Sequence, residues 1–211
     1  ERVVSVLSPI ALLGIWEILV VLGWLDRRFF PPPSIVIAEF AELARSGELW
    51  THLGASLGRV AVGFTVGALA GLAVGTAMGL SRFIRAALNP IVGAIMPIPK
   101  IALLPLILLL FGLGETSKYV TIAIAVFFYL VINTMAGVLN IDRIYWDVGK
   151  NFRASRMQVF RTIAFPGALP MIFAGLRLAW GVSLLVLVAA EFVGARNGIG
   201  FLIWRSWQVF E

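Results

Sequence analysis

Five apolar runs alternate with short polar breaks along this chain, and each run is long enough to cross a membrane as a helix. A hydrocarbon layer of about 30 Å takes about 20 helical residues at about 1.5 Å each. The first run predicts a span from Pro9 to Leu25, with Glu17 inside it and Asp26-Arg27-Arg28 after it. Phe29-Phe30 and three prolines then stiffen the exit, because proline fixes φ and removes a donor. Ser34 reads as the N-cap of a helix from Ile35 to Arg45, too short and too charged to span and so placed at the surface. The second run, Leu53 to Leu80, carries Gly63, Gly67, Gly71, Gly75 and Gly79. In lipid such a row marks a seam where helix backbones approach closely. Its period of four drifts around the helix and predicts that it serves more than one neighbour. The third run, Ala86 to Phe111, is interrupted by Pro97, Pro99 and Pro105, with Lys100 among them. Carbonyls freed by prolines at membrane depth must face protein or a watery cavity. The fourth run is Ser117 to Leu139 and the fifth Leu169 to Val193, after which Gly194, Gly198 and Gly200 break the chain before a short aromatic helix over 201–210.

One polar stretch stands apart. Residues 142–166 hold Arg143, Lys150, Arg153, Arg156 and Arg161, with Asp142 and Asp147. Apolar residues nevertheless recur in it at helical spacing: Ile141, Ile144, Tyr145, Val148 and Phe152, then Met157, Phe160, Ile163 and Ala164. The pattern predicts two short amphipathic helices meeting near Arg153-Ala154-Ser155. A loop of this kind between two spans suits a grip by something outside the membrane.

Composition agrees with the pattern. The chain is 60% hydrophobic and 13% charged, against about a quarter charged in a soluble domain. The fold class is all-α, a polytopic helical membrane protein forming a single domain over residues 1–211. Outer-membrane barrels show short alternating segments instead. The net charge of +6 reads as cytoplasmic loop charge and not as a nucleic-acid surface. Positive loops 81–85 and 142–166 fall on one side, which puts the N-terminus in the cytoplasm and 26–50, 112–117 and 194–211 outside. An odd number of spans and abrupt ends predict a sixth span beyond the C-terminal end, and no cleavable signal peptide is evident.

Several chemistries find no residues. There is no cysteine, hence no disulfide or thiolate metal site. Gly149-Lys150 is followed by Asn151, so no phosphate-cradling loop is present. No nucleophile elbow occurs, and His52 has no partners at ligand spacing. The expectation is a chain with no catalytic residue, no metal and no cofactor of its own. Ionisable residues within spans are then the main candidates for function: Glu17, Lys100, Arg177 and Glu191. Lys100 reads either as a cation on a solute path or as a snorkelling, salt-bridged lysine. Arg177 reads as an interfacial residue or as part of the path. Glu191 pairs with a cation across a pore, seals its outer end, or is a structural pair. The tryptophans, Trp16, Trp24, Trp204 and Trp207 among them, read as interfacial anchors.

The loop also resembles the cytoplasmic motif of the permease subunits of bacterial ABC importers, E-A-A-x-x-x-G, nine residues, then I-x-L-P. Asp147-Val148-Gly149 stands at E-A-A, Arg153 at the glycine, and Ile163-Ala164-Phe165-Pro166 at I-x-L-P. Further segments resemble the branch that imports nitrate, sulfonates, taurine or bicarbonate. They are Phe30-Pro31-Pro32-Pro33-Ser34, Ser56-Leu57-Gly58-Arg59-Val60, Pro97-Ile98-Pro99-Lys100, Phe111-Gly112-Leu113-Gly114 and Ala190-Glu191. Aspartate for glutamate shortens the reach of the charge. Arginine for glycine costs about 1–2 kcal/mol if that position needs φ > 0, so either the turn is made differently or Arg153 takes on a contact of its own.

The resemblance implies a coupling helix docked on a cytoplasmic ATPase. Asp147, Val148, Gly149, Arg153, Ala154, Ser155 and Phe160 are the candidate coupling residues, and Lys100, Arg177 and Glu191 the candidate translocation path. It also implies two ATPase subunits that carry the ATP and Mg, a second permease copy giving a homodimer, and an extracytoplasmic substrate-binding protein, all at the bacterial inner membrane and without nucleic acid. The solute implied is a small anion such as nitrate, bicarbonate or a sulfonate. A vitamin-like heterocycle and an ion-gradient-driven secondary transporter are the competing readings. The latter predicts paired broken helices.

Overall fold

The computed structural model describes residues 2–209, and every regular element among them is helical. In chain order these are α1 (Arg2–Val21), α2 (Pro33–Ser46), α3 (Glu48–Leu80), α4 (Arg82–Ile95), a 3-10 turn (Lys100–Leu103), α5 (Leu104–Phe111), α6 (Glu115–Leu139) and α7 (Arg143–Asn151). Then α8 (Arg156–Val159), a π-helical turn (Phe160–Ala164) and α9 (Phe165–Phe192) run on as one helical rod, and α10 (Ile199–Val209) closes the chain.

Helix α6 is the axis of the fold. It is apolar on all sides, and none of residues 117–138 is exposed, as expected of a helix enclosed by others. Helix α3 packs along it in parallel. A β-carbon at Gly63 would lie 2.7 Å from Ile122 Cβ, at Gly71 2.6 Å from Leu130 Cβ, at Gly75 2.7 Å from Thr134 Cβ, and at Gly79 2.5 Å from Val138 Cβ. All five glycines of the row meet α6, not several neighbours. The drift of a four-residue period is absorbed because α6 offers its own row at the same spacing, so the two ridges follow each other along the crossing. Helix α9 packs antiparallel on another side, where Gly137 meets Ala168 and Gly175 meets Asn133.

Three helices are long and apolar enough to cross a membrane: Glu48–Leu80, Glu115–Leu139 and Arg156–Phe192. The third predicted span is not straight. Arg82–Ile95 and Lys100–Phe111 meet at 90°, because Pro97 and Pro99 remove donors at the bend and Pro105 sits in the first turn of α5. The first predicted span is present as an apolar helix only over Leu7–Val21. Ser34 is not the N-cap of α2, since Pro32 takes that position. Instead the Ser34 N–H and hydroxyl donate to Glu17 at 3.0 and 2.7 Å, so the carboxylate of α1 caps the positive end of α2.

Candidate functional site

The polar loop folds into two helices joined at the predicted place. Asp142 accepts from the Ile144 N–H at 3.2 Å and caps α7. At the other end Arg153 lies at φ 49, the one non-glycine residue with positive φ among those described. The Arg153 N–H donates to the Lys150 carbonyl and the Ala154 N–H to the Gly149 carbonyl, both at 2.9 Å. This pair of bonds around a left-handed residue is a Schellman closure. The arginine therefore makes the turn a glycine would make. Ser155 then starts α8 with a capping box, its N–H donating to Gln158 Oε1 at 2.7 Å and its Oγ accepting from the Gln158 N–H at 3.3 Å.

The π turn that follows has a cause in the sequence. Pro166 offers no N–H to the Thr162 carbonyl and its ring crowds that oxygen, so the preceding turn widens and the Phe165 N–H reaches back to Phe160. Gly149 faces this turn, where a β-carbon would lie 3.0 Å from Ile163 Cδ1. Thus α7 is seated through Gly149 on the root of α9. Its other face is open: Ile144, Tyr145, Val148 and Phe152 are exposed, Phe152 to 82%. Asp147, paired with Lys150 at 3.3 Å, and Arg153 flank that face. Of the candidate coupling residues, Asp147, Val148, Arg153 and Ser155 are exposed, Ala154 is half-buried, Gly149 is buried, and Phe160 packs its ring 5.9 Å from Phe165.

A second polar centre lies at the far end of the bundle. Arg59 of α3 is buried and spends all five N–H groups. Nε and Nη2 donate to the two oxygens of Glu115 at 2.6 and 2.8 Å. Nη1 donates to Glu191 Oε1 and to the Asn197 carbonyl, each at 2.7 Å, and Nη2 also donates to Asn197 Oδ1 at 2.5 Å. Glu191 of α9 accepts in addition from Ser56 Oγ at 2.8 Å and from the Gly200 N–H at 2.8 Å. His52 Nδ1 accepts from the Gly198 N–H at 2.9 Å. Gly198 sits at φ 117, hard against the Glu191 carboxylate and Arg59 Nη1, where no side chain fits. Lys118 lies 3.6 Å from Glu115. The cluster ties α3, α6, α9 and the 194–198 loop together, with two carboxylates balanced by two cations. An open depression lined by Leu113, Glu115, Lys118, Arg196 and Asn197 lies beside it.

The remaining predicted site residues are placed far apart. Lys100 is buried at the bend, its amine donating to the carbonyls of Ile95, Met96 and Ile98 at 2.7, 3.2 and 3.0 Å and lying 4.6 Å over the Phe128 ring. An ammonium has three N–H groups, so none is left for a passing solute. Arg177 is exposed on α9. Sequence reasoning missed Arg59, Glu115 and Lys118 as site residues. The signal was a charge inside each of two apolar runs, overlooked because both lie within a few turns of a span end. The exposed aromatic face of α7 was visible as helical periodicity, but the motif drew attention to Gly149 and Phe160 instead.

Comparison with known proteins bears on this arrangement. Residues 63–209 match the family model described as binding-protein-dependent transport system inner membrane component. The chain is 37% identical over 210 residues to an Escherichia coli K12 protein whose name assigns it provisionally to aliphatic sulfonates transport as a permease. That match covers all of this chain and 80% of the relative. It is 38% identical over 197 residues to the taurine transport system permease protein of the same organism, covering 91% and 72%. It is 41% identical over 154 residues to a nitrate import permease protein of Synechocystis, covering 73% and 56%.

Proposed function

Because the chain belongs to the family of inner membrane components of binding-protein-dependent ABC transport systems, we propose that it forms half of a translocation pathway whose drive enters through α7. It is a membrane permease subunit. Its family works with an ATPase and a substrate-binding protein. The finer reading is a pair of cytoplasmic ATPase subunits that bind and hydrolyse ATP, a second copy of this chain as the other half of the pathway, and an N-terminus in the cytoplasm. The relatives are named for sulfonates, taurine and nitrate, and the solute proposed here is a small oxyanion. The gradient-driven alternative is set aside by the family, and one bent helix pair among the described residues gives no sign of paired broken helices.

The observation that carries the docking reading is the open face of α7. Ile144, Tyr145, Val148 and Phe152 stand exposed on a helix that is capped at both ends and seated on the root of α9. An isolated helix this short would not hold in water, so this one is held in shape for contact. Asp147, Arg153, Ala154 and Ser155 rim the same surface. A docked ATPase that moves between two discrete positions carries α7 with it, and α9 carries the shift into the bundle. The outer cluster around Glu191 closes the far end of the pathway in this reading.

The test is co-purification with the ATPase and ATP-driven uptake in proteoliposomes supplied with the binding protein. Phe152→Ala is expected to weaken capture of the ATPase by at least tenfold, and Asp147→Ala to uncouple ATP turnover from uptake. Wild-type capture by a Phe152→Ala, Val148→Ala double variant would sink the docking reading while leaving family membership untouched.

A further inference from the structure

Eight lysines and arginines lie within the three long spans and the bent pair. Arg82, Arg85, Arg156 and Arg161 fall in the first six residues of a helix, at the loop end, and of the four deeper ones the structure satisfies three. Arg59 is held by Glu115, Glu191 and Asn197, Lys118 by Glu115 and two carbonyls, and Lys100 by three carbonyls. Arg177 is exposed and is the one of these four deeper cations with no partner among the described residues. Its depth follows from the packing. Gly79 meets Val138 and Gly137 meets Ala168, so α3, α6 and α9 end together at the level of Ala168. Arg177 lies nine residues beyond Ala168 and fourteen short of Glu191, about 13 Å and about 21 Å along the helix. That is the middle third of a hydrocarbon layer.

A charge at this depth faces a partner or water. Within residues 48–191 the sequence offers no fixed counter-ion at this level. No Asp or Glu occurs between Glu48 and Glu115, between Glu115 and Asp142, or between Asp147 and Glu191. Glu17 is held by Ser34. The same residues of a second copy bring no carboxylate to this level either. The surroundings leave room: a β-carbon at Gly181, one turn on, would touch nothing within 4 Å, and Ala174 is small. Phe173 and Trp180, about one turn to either side of Arg177 along α9, are 64% and 47% exposed.

We propose that Arg177 is the mid-membrane anion contact of the pathway, its counter-charge being the transported oxyanion itself, with the same residue of the second copy facing it. This deepens the permease reading and rests on it. A guanidinium suits planar or tetrahedral oxyanions because its N–H groups match paired oxygens. It also rejects cations by charge. Anion selectivity thus belongs to α9 and not to Lys100.

The chain has no cysteine, so a single Gly181→Cys substitution places one thiol a turn from Arg177. In the assembled transporter, that thiol is converted in parallel to a mixed disulfide, with methanesulfinate leaving, by an anionic methanethiosulfonate (ethylsulfonate) and a cationic one (ethyltrimethylammonium). The anionic reagent is expected to react at least tenfold faster, relative to their rates on a free thiol. Arg177→Gln in the same background is expected to remove that preference, and Arg177→Lys to keep most of it. Taurine, methanesulfonate, nitrate and bicarbonate are tried as competitors with Arg177 intact, and at least one is expected to slow the anionic reagent several-fold. No labelling by either reagent, with Ser46→Cys on the exposed end of α2 labelled as control, places this face in lipid or packing and overturns the proposal while the permease reading stands. An unchanged preference in Arg177→Gln, or no slowing by any of the four anions, overturns it equally. Absence of ATP-driven uptake by the unmutated transporter with its binding protein would instead strike the permease reading.

Discussion

Replacing Arg153 by glycine should tighten the turn that ends α7. Arg153 holds φ 49 and anchors two hydrogen bonds of 2.9 Å, from its own N–H to Lys150 and from Ala154 to Gly149. A β-carbon in the left-handed region costs about 1–2 kcal/mol. Glycine removes that cost but adds about 0.5–1 kcal/mol of backbone freedom in the open state. The difference leaves about 0.5–1 kcal/mol in favour of Arg153→Gly, a factor of about 2–5 in the opening equilibrium. Hydrogen exchange of the isolated permease reads it locally: the amides of residues 153 and 154 should be protected 2–5-fold more, while amides in α6 stay unchanged. Arg153→Asn should fall between, since asparagine tolerates this region better than other side chains. Unchanged or faster exchange at both amides would refute the account of the turn. If the same glycine variant loses ATPase capture while its turn gains protection, the guanidinium is retained for its contact and not for its backbone.

Three further perturbations follow from the packing. Glu191→Ala strands Arg59 with one carboxylate where it had two and orphans the Gly200 N–H. The expected loss is about 3–5 kcal/mol, read as a lowered midpoint in detergent thermal unfolding. Gly71→Val drives a side chain into Leu130 Cβ at 2.6 Å and the Phe127 carbonyl at 2.8 Å. It should cost at least the overpacking range of about 1–3 kcal/mol, whereas Gly58→Ala, with nothing within 4 Å, should melt like the parent. Lys100→Met takes the donor from the Met96 and Ile98 carbonyls at the bend, while the Ile95 carbonyl keeps the Ile98 N–H, at about 1–3 kcal/mol for each that stays dry. Its first effect should be a lower melting temperature and yield; a stable variant with impaired uptake alone would return Lys100 to the pathway.

Much of the fold was legible because lipid removes alternatives. Long apolar runs in a bilayer have to be helices, and the glycine row announced a close seam before α6 was known to be its partner. The loop was legible for another reason: apolar residues recur in it at helical spacing, and the structure adds that Asp142 and Ser155 with Gln158 cap the two helix starts. The bend was half legible. Prolines at 97 and 99 predicted freed carbonyls, but nothing in their spacing said that Lys100 would fold back onto them, and its charge invited a functional reading. The outer cluster was legible only in Glu191, read as one half of an ion pair whose cation was not identified. Ser56, Arg59, Glu115, Glu191 and Asn197 come from four separate segments, and only the crossing of α3, α6 and α9 brings them together. The same holds for Arg177, whose isolation is a property of what lies opposite it.

The placement of these contacts restricts how the bundle can move. The rod from Arg156 to Phe192 carries the seat of α7 at one end and Glu191 at the other. A shift of this rod along α6 would have to break the Glu191 contacts with Arg59, Ser56 and Gly200, and breaking a buried ion pair costs several kcal/mol. It would also have to lift Gly137 and Gly175 out of their close contacts with Ala168 and Asn133. The glycine seam locks α3 to α6 in the same way. So α3, α6 and α9 form one rigid body, tied by ions at the outer end and by backbone contact along its length. In the proposed docking, a pull on α7 would rock the whole body, and the relative motion would be displaced to its edges. Those edges are the 90° bend between α4 and α5, where the helical ladder is already broken, and the exposed face of α9 that carries Arg177. In the proposed pathway, rigid rocking would change what Arg177 faces without changing any contact inside the body, and would present that residue to each side of the membrane in turn. Cross-linking α3 to α6 through engineered cysteines on their seam should therefore leave uptake intact, whereas fixing α4 to α5 across the bend should stop it.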